Sequence, residues 1–579
     1  MIPLVTLCAA LALSQAGLTN ASPAPIPTPG ARRNEKRDMR PRYLREADSL
    51  PAGGVYENGV ITLPLRGGPN ADLKKAKRAN IVQVPIVDDQ DSSYGVALDI
   101  GGQSVTFQVD TGSADLWSMT TDCQTPSGGK CSNSSGIPAY TPSSTFISTN
   151  APLQINYGSS AQPTFASGTI GLDNMTFGGL TQSEQAFASM DKTNNSITQS
   201  YSGIFGVGFP YISKIVDTIV DGVLNKTTET LTGQSLLSTY FQAMEESSPL
   251  LISLAAAGKL SAPMYTLSLQ REDPTSAGSN AGVMTIGGLP SGISNASLTW
   301  VPVQPYAIST ALFGGLQTPI DPAVLKEAEA LMPTTPMLWE AAIDGLYVNG
   351  QLLKNSSVDT SVTDVSGLTA LFDSGTTQTL ITANDLKSAT SMIPAISSDG
   401  TLPCNTVLNL AIGIGGKQFA INPFDLIEPL DSSDSAECAV GISQADPPTA
   451  TQTFSYILGD AIFRSTLIAF YWGNLTDQAS DPARMGFLST TDAGAADAEY
   501  SSFWASAGTG FAFPTAAPEA QVTTTSIANP ISAGSSGASG GGSSGGSGSK
   551  SNGASALRLG QAGWAAAAVV GFGWVASML

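Results

Sequence analysis

The amino-acid sequence predicts a mainly β fold built from two related lobes, and two observations carry that expectation. Residues 79–500 consist of short β-branched and aromatic runs divided by Gly, Ser, Asn and Pro, the pattern of many short strands. Within them one unit occurs twice: an apolar strand, an Asp-Ser/Thr-Gly turn and, further on, an apolar-apolar-Gly run. The first copy joins residues 105–109 to Asp110, Thr111 and Gly112, with Ile204, Phe205 and Gly206 downstream. The second joins residues 368–372 to Asp373, Ser374 and Gly375, with Ile457, Leu458 and Gly459 downstream. The two Asp residues stand 263 positions apart, so the repeat describes a duplicated lobe. One such tripeptide is weak evidence in a chain this rich in Ser, Thr and Gly; the repeated context disfavours a turn-only role.

Helical signals are few. In "DPAVLKEAEALMP" Asp321 is placed as N-cap, Pro322 in the first turn and Pro333 as a stop. A second helix is expected from Thr382, with Asp385 as a capping-box-like acid. Asp460, directly after Gly459, reads as a helix cap or a surface acid.

At 579 residues the chain is too long for one compact domain, and length alone suggests about two to four units. Residues 1–21 read as a signal peptide, with small residues at Ala16 and Ala21 as alternative cleavage points. Residues 22–78 read as a basic propeptide ending in "LKKAKR". A cut after Arg78 would free Ala79 at the head of "ANIVQVPIV", which reads as the first strand of the folded body. The body divides into an N-terminal lobe, 79–270, and a C-terminal lobe, 271–500. A Ser/Gly-rich stalk, 501–552, cannot bury a core. Residues 553–579 carry small residues, a short spacer and an apolar tail, the pattern of a GPI-attachment signal. Asn552 leads as the attachment residue, with Gly553 and Ser551 as alternatives. The competing reading is a transmembrane helix, but the 18 residues of 562–579 barely span a bilayer and no basic cluster follows them.

Composition excludes several chemistries. The chain contains no His, which removes Ser-His and Cys-His nucleophile pairs and His-ligated zinc together. No metal site and no cofactor are expected. Apart from Cys8 in the leader there are four cysteines, which allow three connectivities. The pairs Cys123–Cys131 and Cys404–Cys438 each close a short loop and are the expected ones. Export is further supported by sequons at Asn133, Asn174, Asn194, Asn225, Asn295, Asn355 and Asn474. Residues 1–78 hold 12 of the 26 basic side chains and 6 of the 46 acidic ones, leaving a net charge of −26 on the remainder. Such a body repels nucleic acid and suits an acidic, extracellular setting, where carboxylates lose their charge.

On these residues the chain resembles the pepsin-like aspartic proteases over about 79–500. The match rests on Asp110, Thr111, Gly112 and Ser113 with Trp117 seven positions after the Asp, and on Asp373, Ser374, Gly375 and Thr376. The two apolar-Gly runs and "INYGSS" complete it, with Tyr157, Gly158 and Ser159 resembling the flap. Ser159 stands where Thr is more usual. Prosegment, stalk and tail together resemble the fungal GPI-anchored, yapsin-like branch. The resemblance implies a bilobal β fold with the active site in the cleft between the lobes, and Asp110 and Asp373 as the catalytic pair. Two carboxylates about 3 Å apart cannot both ionise, a behaviour that such dyads themselves illustrate. The ionised member would activate a water and the protonated one would donate to the substrate carbonyl. Gly112 and Gly375 would allow close approach, Ser113 and Thr376 would orient the carboxylates, and the Tyr157 hydroxyl would point towards Trp117. Segment 304–337 looks inserted relative to the family pattern.

The resulting expectation is a cell-surface endopeptidase, monomeric, active in acid on protein or peptide substrates with basic residues near the cut. It would be held in the outer leaflet or cell wall by its lipid. The alternative is a non-catalytic wall-binding or structural glycoprotein on the same fold, disfavoured because both Asp triplets are whole.

Overall fold

The computed structural model describes residues 93–507 apart from 133–135, 159–161, 272–281, 354–366, 394, 398–399, 430–436 and 450. It also describes the backbone of two strands, Val55–Glu57 and Val60–Gly67. Arg78, Asn133, Ser159, Asn355 and Asn552 lie outside the described residues, as do the leader, the stalk beyond 507, the tail and "ANIVQVPIV".

The short apolar runs assemble into sheets, because each can hide one or both faces only against a neighbour. Among the described residues the largest sheet has 14 strands and passes through both lobes. From its C-terminal end it runs through Thr299–Pro302, Arg484–Ser489, Thr466–Tyr471, Met264–Leu269 and Gly282–Ile286. Val60–Gly67 then bridges to Tyr94–Ile100 and on to Gln103–Asp110, Gly203–Gly206 and Leu116–Gln124. The bridge pairs antiparallel with Gly282–Ile286 on one side and with Tyr94 and Gly95 on the other. It falls within the stretch expected as propeptide.

Strand register makes the duplication explicit. In the N-terminal lobe, Gln103–Asp110 runs parallel to Gly203–Gly206, with Asp110 opposite Gly206. Gly203–Gly206 in turn pairs antiparallel with Leu116–Gln124, which runs parallel to Leu180–Thr193. The C-terminal lobe repeats each relation: Thr369–Phe372 is parallel to Tyr456–Leu458, Tyr456–Leu458 is antiparallel to Thr379–Ile381, and Thr379–Ile381 is parallel to Ile442–Gln444. Between the lobes lies an aromatic core. Phe209 meets Trp339 at 4.2 Å between ring centroids, and Tyr265 stacks on Phe470 at 4.8 Å. The Tyr265 hydroxyl and the Trp339 indole N–H both donate to the Val207 carbonyl, which fixes the chain after Gly203–Gly206 onto rings from both lobes.

Among the described residues eight α-helices decorate the sheets: α1 Lys214–Leu224, α2 Gly233–Ser247, α3 Leu250–Ala256, α4 Ile308–Ala311, α5 Pro322–Leu331, α6 Ala383–Ser391, α7 Asp460–Ser465 and α8 Ala493–Ala507. Asp321 caps α5 by accepting from the Ala323 N–H at 2.8 Å. Thr382 caps α6, but Asp385 does not close a reciprocal box; its carboxylate accepts from the Thr382 and Tyr456 hydroxyls instead. Asp460 is fully buried at the first position of α7, not at the surface, because its N–H is drawn to the Thr376 carbonyl beneath the second Asp turn. Helix α8 straddles the boundary expected at 500. Its Tyr500 packs on Phe424 at 4.7 Å and donates to the Cys404 carbonyl, so packing carries the helix past the composition change.

Disulfides join Cys123 to Cys131 and Cys404 to Cys438. Of the described sequons, Asn194, Asn225, Asn295 and Asn474 are exposed, while Asn174 is half-buried and accepts from the Glu184 N–H.

Candidate active site

Asp110 ends the strand Gln103–Asp110, and Asp373 follows the strand Thr369–Phe372 directly. Each then enters a turn that folds back on its own carboxylate. Gly112 N–H donates to Asp110 Oδ1 at 2.9 Å and the Ser113 hydroxyl to Asp110 Oδ2 at 2.7 Å. Gly375 N–H donates to Asp373 Oδ1 at 2.8 Å and the Thr376 hydroxyl to Asp373 Oδ2 at 2.7 Å. The outer oxygens are thus occupied and the inner ones turn towards each other. The two carboxyls are buried and hydrogen-bonded to one another. A Cβ on Gly112 would lie 2.7 Å from Asp373 Oδ1, and one on Gly375 would lie 2.7 Å from Asp110 Oδ1. Any side chain at either glycine would push the opposite carboxylate away.

Burial raises the Asp110 carboxyl well above the ordinary range, and the neighbouring Asp373 charge raises it further. Burial also raises Asp373, opposed by the Thr376 and Gly375 donors. The proton belongs to the pair and is held because two adjacent buried charges would repel. Such a pair can do two things at once: accept a proton from a water and donate one to a carbonyl oxygen.

Sequence reasoning passed over the middle residue of each triplet. Thr111 Oγ1 donates to the Phe372 carbonyl at 2.7 Å and accepts from Ser374 N–H at 2.9 Å. Ser374 Oγ donates to the Val109 carbonyl at 2.9 Å and accepts from Thr111 N–H at 3.2 Å. Four crossed hydrogen bonds therefore lock one Asp turn to the other, 263 residues away in the chain. The signal was present, since both middle positions carry a hydroxyl.

The structure brings Tyr157 and Trp117 together: the indole N–H donates to the Tyr157 hydroxyl at 2.8 Å. Both are buried in a small apolar cluster with Leu153, Ile155, Ile204 and Ile215. Gly158 follows at the end of the strand Ile147–Tyr157. Asp115 was also missed. It is buried, and its carboxylate accepts from Ser213 Oγ at 2.6 Å, Lys214 N–H at 2.8 Å and Ile215 N–H at 3.4 Å. Burial holds its carboxyl above the usual range despite those donors. It thereby ties the start of α1 to the chain between Asp110 and Trp117. Among the described residues no group of three or more metal-ligating side chains converges.

Comparison with known proteins agrees with this geometry. An "Aspartic protease" of Phaffia rhodozyma is 25% identical over 421 residues, covering 72% of this chain and 80% of that protein. "Pepsin A" of Rhinolophus ferrumequinum is 24% identical over 412 residues, covering 69% and 84%. "Cathepsin E" of Rattus norvegicus is 24% identical over 407 residues, covering 68% and 81%. Residues 93–479 match the family described as eukaryotic aspartyl protease, a span that contains both Asp turns, the Tyr157 strand and the interlobe core. The chain belongs to the eukaryotic aspartyl protease family.

Proposed function

We propose that this chain is an acid endopeptidase that uses Asp110 and Asp373 as one catalytic unit. The observation that carries the reading is the buried, mutually hydrogen-bonded pair whose outer oxygens are each occupied by a hydroxyl of the same turn. With those oxygens held, the inner oxygens face the position where a water would sit. The ionised member takes that water's proton as its oxygen attacks the peptide carbonyl. The protonated member donates to the carbonyl oxygen, giving a neutral tetrahedral intermediate. Collapse of that intermediate returns a proton to the departing amine, and no covalent enzyme intermediate forms. Tyr157 and Trp117 act as the closing side of the cleft and exclude bulk water.

The finer reading is a secreted enzyme made as a zymogen, cut after Arg78 and displayed at the cell surface through a GPI lipid on Asn552. Removal of residues 22–78 would take away Val60–Gly67 and leave the edges at Gly282–Ile286 and Tyr94 unpaired. The apolar stretch immediately after the cut is the segment available to replace it. The formal charge of −26 on residues 79–579 at neutral pH, of which the carboxylates still ionised in weak acid keep a part, supports attraction of basic peptides. The test is a peptide-library digest at pH 4 by the processed chain, beside Asp110→Asn and Asp373→Asn. Cleavage by the parent alone, enriched at basic residues, is expected. No cleavage by the parent across the acid range would overturn the reading.

A further inference from the structure

The inserted segment 304–337 does not stay with the C-terminal lobe where it begins. It reaches across to helices α1 and α2 of the N-terminal lobe. Glu327 on α5 accepts from Gly233 N–H at the start of α2 at 3.0 Å, and Phe313 meets the Tyr240 ring of α2 edge-on at 5.9 Å. Between these contacts, residues 313–318 lie over α1. Asp221 of α1 accepts from Gln317 N–H at 2.9 Å and from Thr318 N–H at 2.8 Å. Gly315 presses on the adjacent turn: a Cβ there would lie 2.0 Å from Asp217 Oδ2 and 2.9 Å from Lys214 Nζ.

Helix α1 is the neighbour of the flap side of the site. Its Ile215 belongs to the cluster that holds Trp117 and Tyr157, and Ile219 packs against the same cluster. Its first turn is held by Asp115, five positions after Asp110. A contact that moves α1 therefore moves the support of the Trp117–Tyr157 pair. Asp217 sits at the centre of the contact. Its Oδ2 meets Lys214 Nζ at 3.1 Å, while its Oδ1 is buried with no hydrogen-bond partner among the described residues, as is the nearby Tyr240 hydroxyl. The charged and titratable groups facing it are Lys214 and Asp221 on α1 itself, Asp115 from the chain after the first Asp turn, and Tyr240 from α2. Segment 313–318 brings no titratable side chain.

We propose that residues 313–318 are a clamp that holds α1 against the base of the Tyr157 strand, and that Asp217 is the positioning residue whose ionisation releases it. The reasoning is steric and electrostatic. A neutral carboxyl fits under Gly315 at modest cost. An ionised one has one cation on one oxygen, nothing on the other, and like charges at Asp115 and Asp221. It must be hydrated, and the thin glycine cover is what water displaces. Burial pushes Asp217 up to about 7, so it is neutral in acid and ionised above neutrality. In a chain without His it occupies the pH range that His usually serves. The clamp is closed where an acid peptidase works and open at neutral pH. This deepens the peptidase reading and rests on it for its consequence, though not for its test.

The test measures amide hydrogen exchange of segment 313–318 at pH 5 and pH 8 in full-length chain carrying Asp110→Asn, which cannot digest itself. The protection factor is expected to fall about tenfold or more between the two conditions, and to change by less than about twofold when Asp217→Asn is added. Asp221→Ala, which removes both amide acceptors, is expected to lower protection at both pH values. Equal pH dependence with and without Asp217→Asn would overturn the clamp. In the catalytic background, Asp217→Asn is expected to blunt the rise of KM between pH 5 and pH 8, and an unaltered KM profile would overturn the link to the cleft. Because the exchange arm runs with the dyad disabled, an inactive parent would sink the peptidase reading without touching the clamp result.

Discussion

The Asp110 turn and the Asp373 turn are near copies, yet their surroundings differ. Each carboxylate takes one glycine N–H and one hydroxyl at matching distances, and each triplet lends its middle hydroxyl to the other lobe. Five positions on, the lobes diverge. Asp115 is a buried acid that caps α1, whereas Gln378 is an amide bonded to Ser443. Seven positions on, Trp117 holds Tyr157, while Leu380 is plain core. The duplication kept what the chemistry needs twice. It let the lobes separate in what is needed once, namely closure over a substrate.

Individual buried acids differ in their response to pH, and acids of both kinds occur in each lobe. Asp425 in the C-terminal lobe is opposed by burial but held below the usual carboxylate range by Arg271 and Arg464, at 2.9 and 2.8 Å. A lowered carboxyl contributes stability above its unfolded value of about 3.9 and loses it only as pH falls through the folded value. Asp115 and Asp217 in the N-terminal lobe are raised by burial. Their contribution is complete below the unfolded value and is lost as pH rises, for Asp217 through about 7. Weak acid therefore keeps the Asp217 contribution, and neutrality removes it.

The strongest challenge to the symmetry is at the pair itself. Asp110→Asn and Asp373→Asn should each lower kcat by about a thousandfold or more with little change in KM, measured on one peptide at pH 4. Unequal losses would mean that the lobes do not share the proton as a unit. Next, Asp425→Asn should cost about 3–5 kcal/mol at pH 5 by urea unfolding, because two arginines lose their buried partner, and less at pH 2. A cost that does not shrink in acid would contradict the lowered carboxyl. Third, Thr111→Val and Ser374→Ala should each cost roughly 1–3 kcal/mol and be non-additive, since they cut one crossed lock from its two sides. Additive losses would separate the lobes energetically. The smallest effect is expected from Tyr157→Phe, which removes one hydrogen bond worth about 1 kcal/mol and should raise KM roughly fivefold. Leu380→Val, at the position of the other lobe equivalent to Trp117, should leave KM unchanged.

Much of the site was legible in the chain. The doubled Asp triplets, the following Ser113 and Thr376 and the echoing apolar-Gly runs rest on short local patterns that chemistry constrains tightly, whereas the Tyr157–Trp117 contact, 40 residues apart in the chain, was expected only from the family resemblance. Thr111 and Ser374 escaped because a hydroxyl in a turn is ordinary until its partner strand is known. Asp115 and Asp217 escaped because one acid in an acidic chain carries no mark. Asp460 stands in the first turn of α7, near the helix-cap reading, and only the surface alternative fails, because a charged residue after glycine reads as exposed unless the strand end above it is seen. Helix α8 ran past 500 because Tyr500 and Phe503 find Phe424, a contact that composition does not record.

What the sequence determined by itself is the repeated unit, the mainly β character and the residue types of the dyad, since periodicity and turn chemistry act over a few residues. Only the tertiary structure decided which oxygens face inward, how the triplets cross, and where segment 304–337 comes to rest. Those outcomes depend on contacts between residues far apart in sequence. Burial there sets the charge of an acid, and the neighbour that buries it is chosen by the fold.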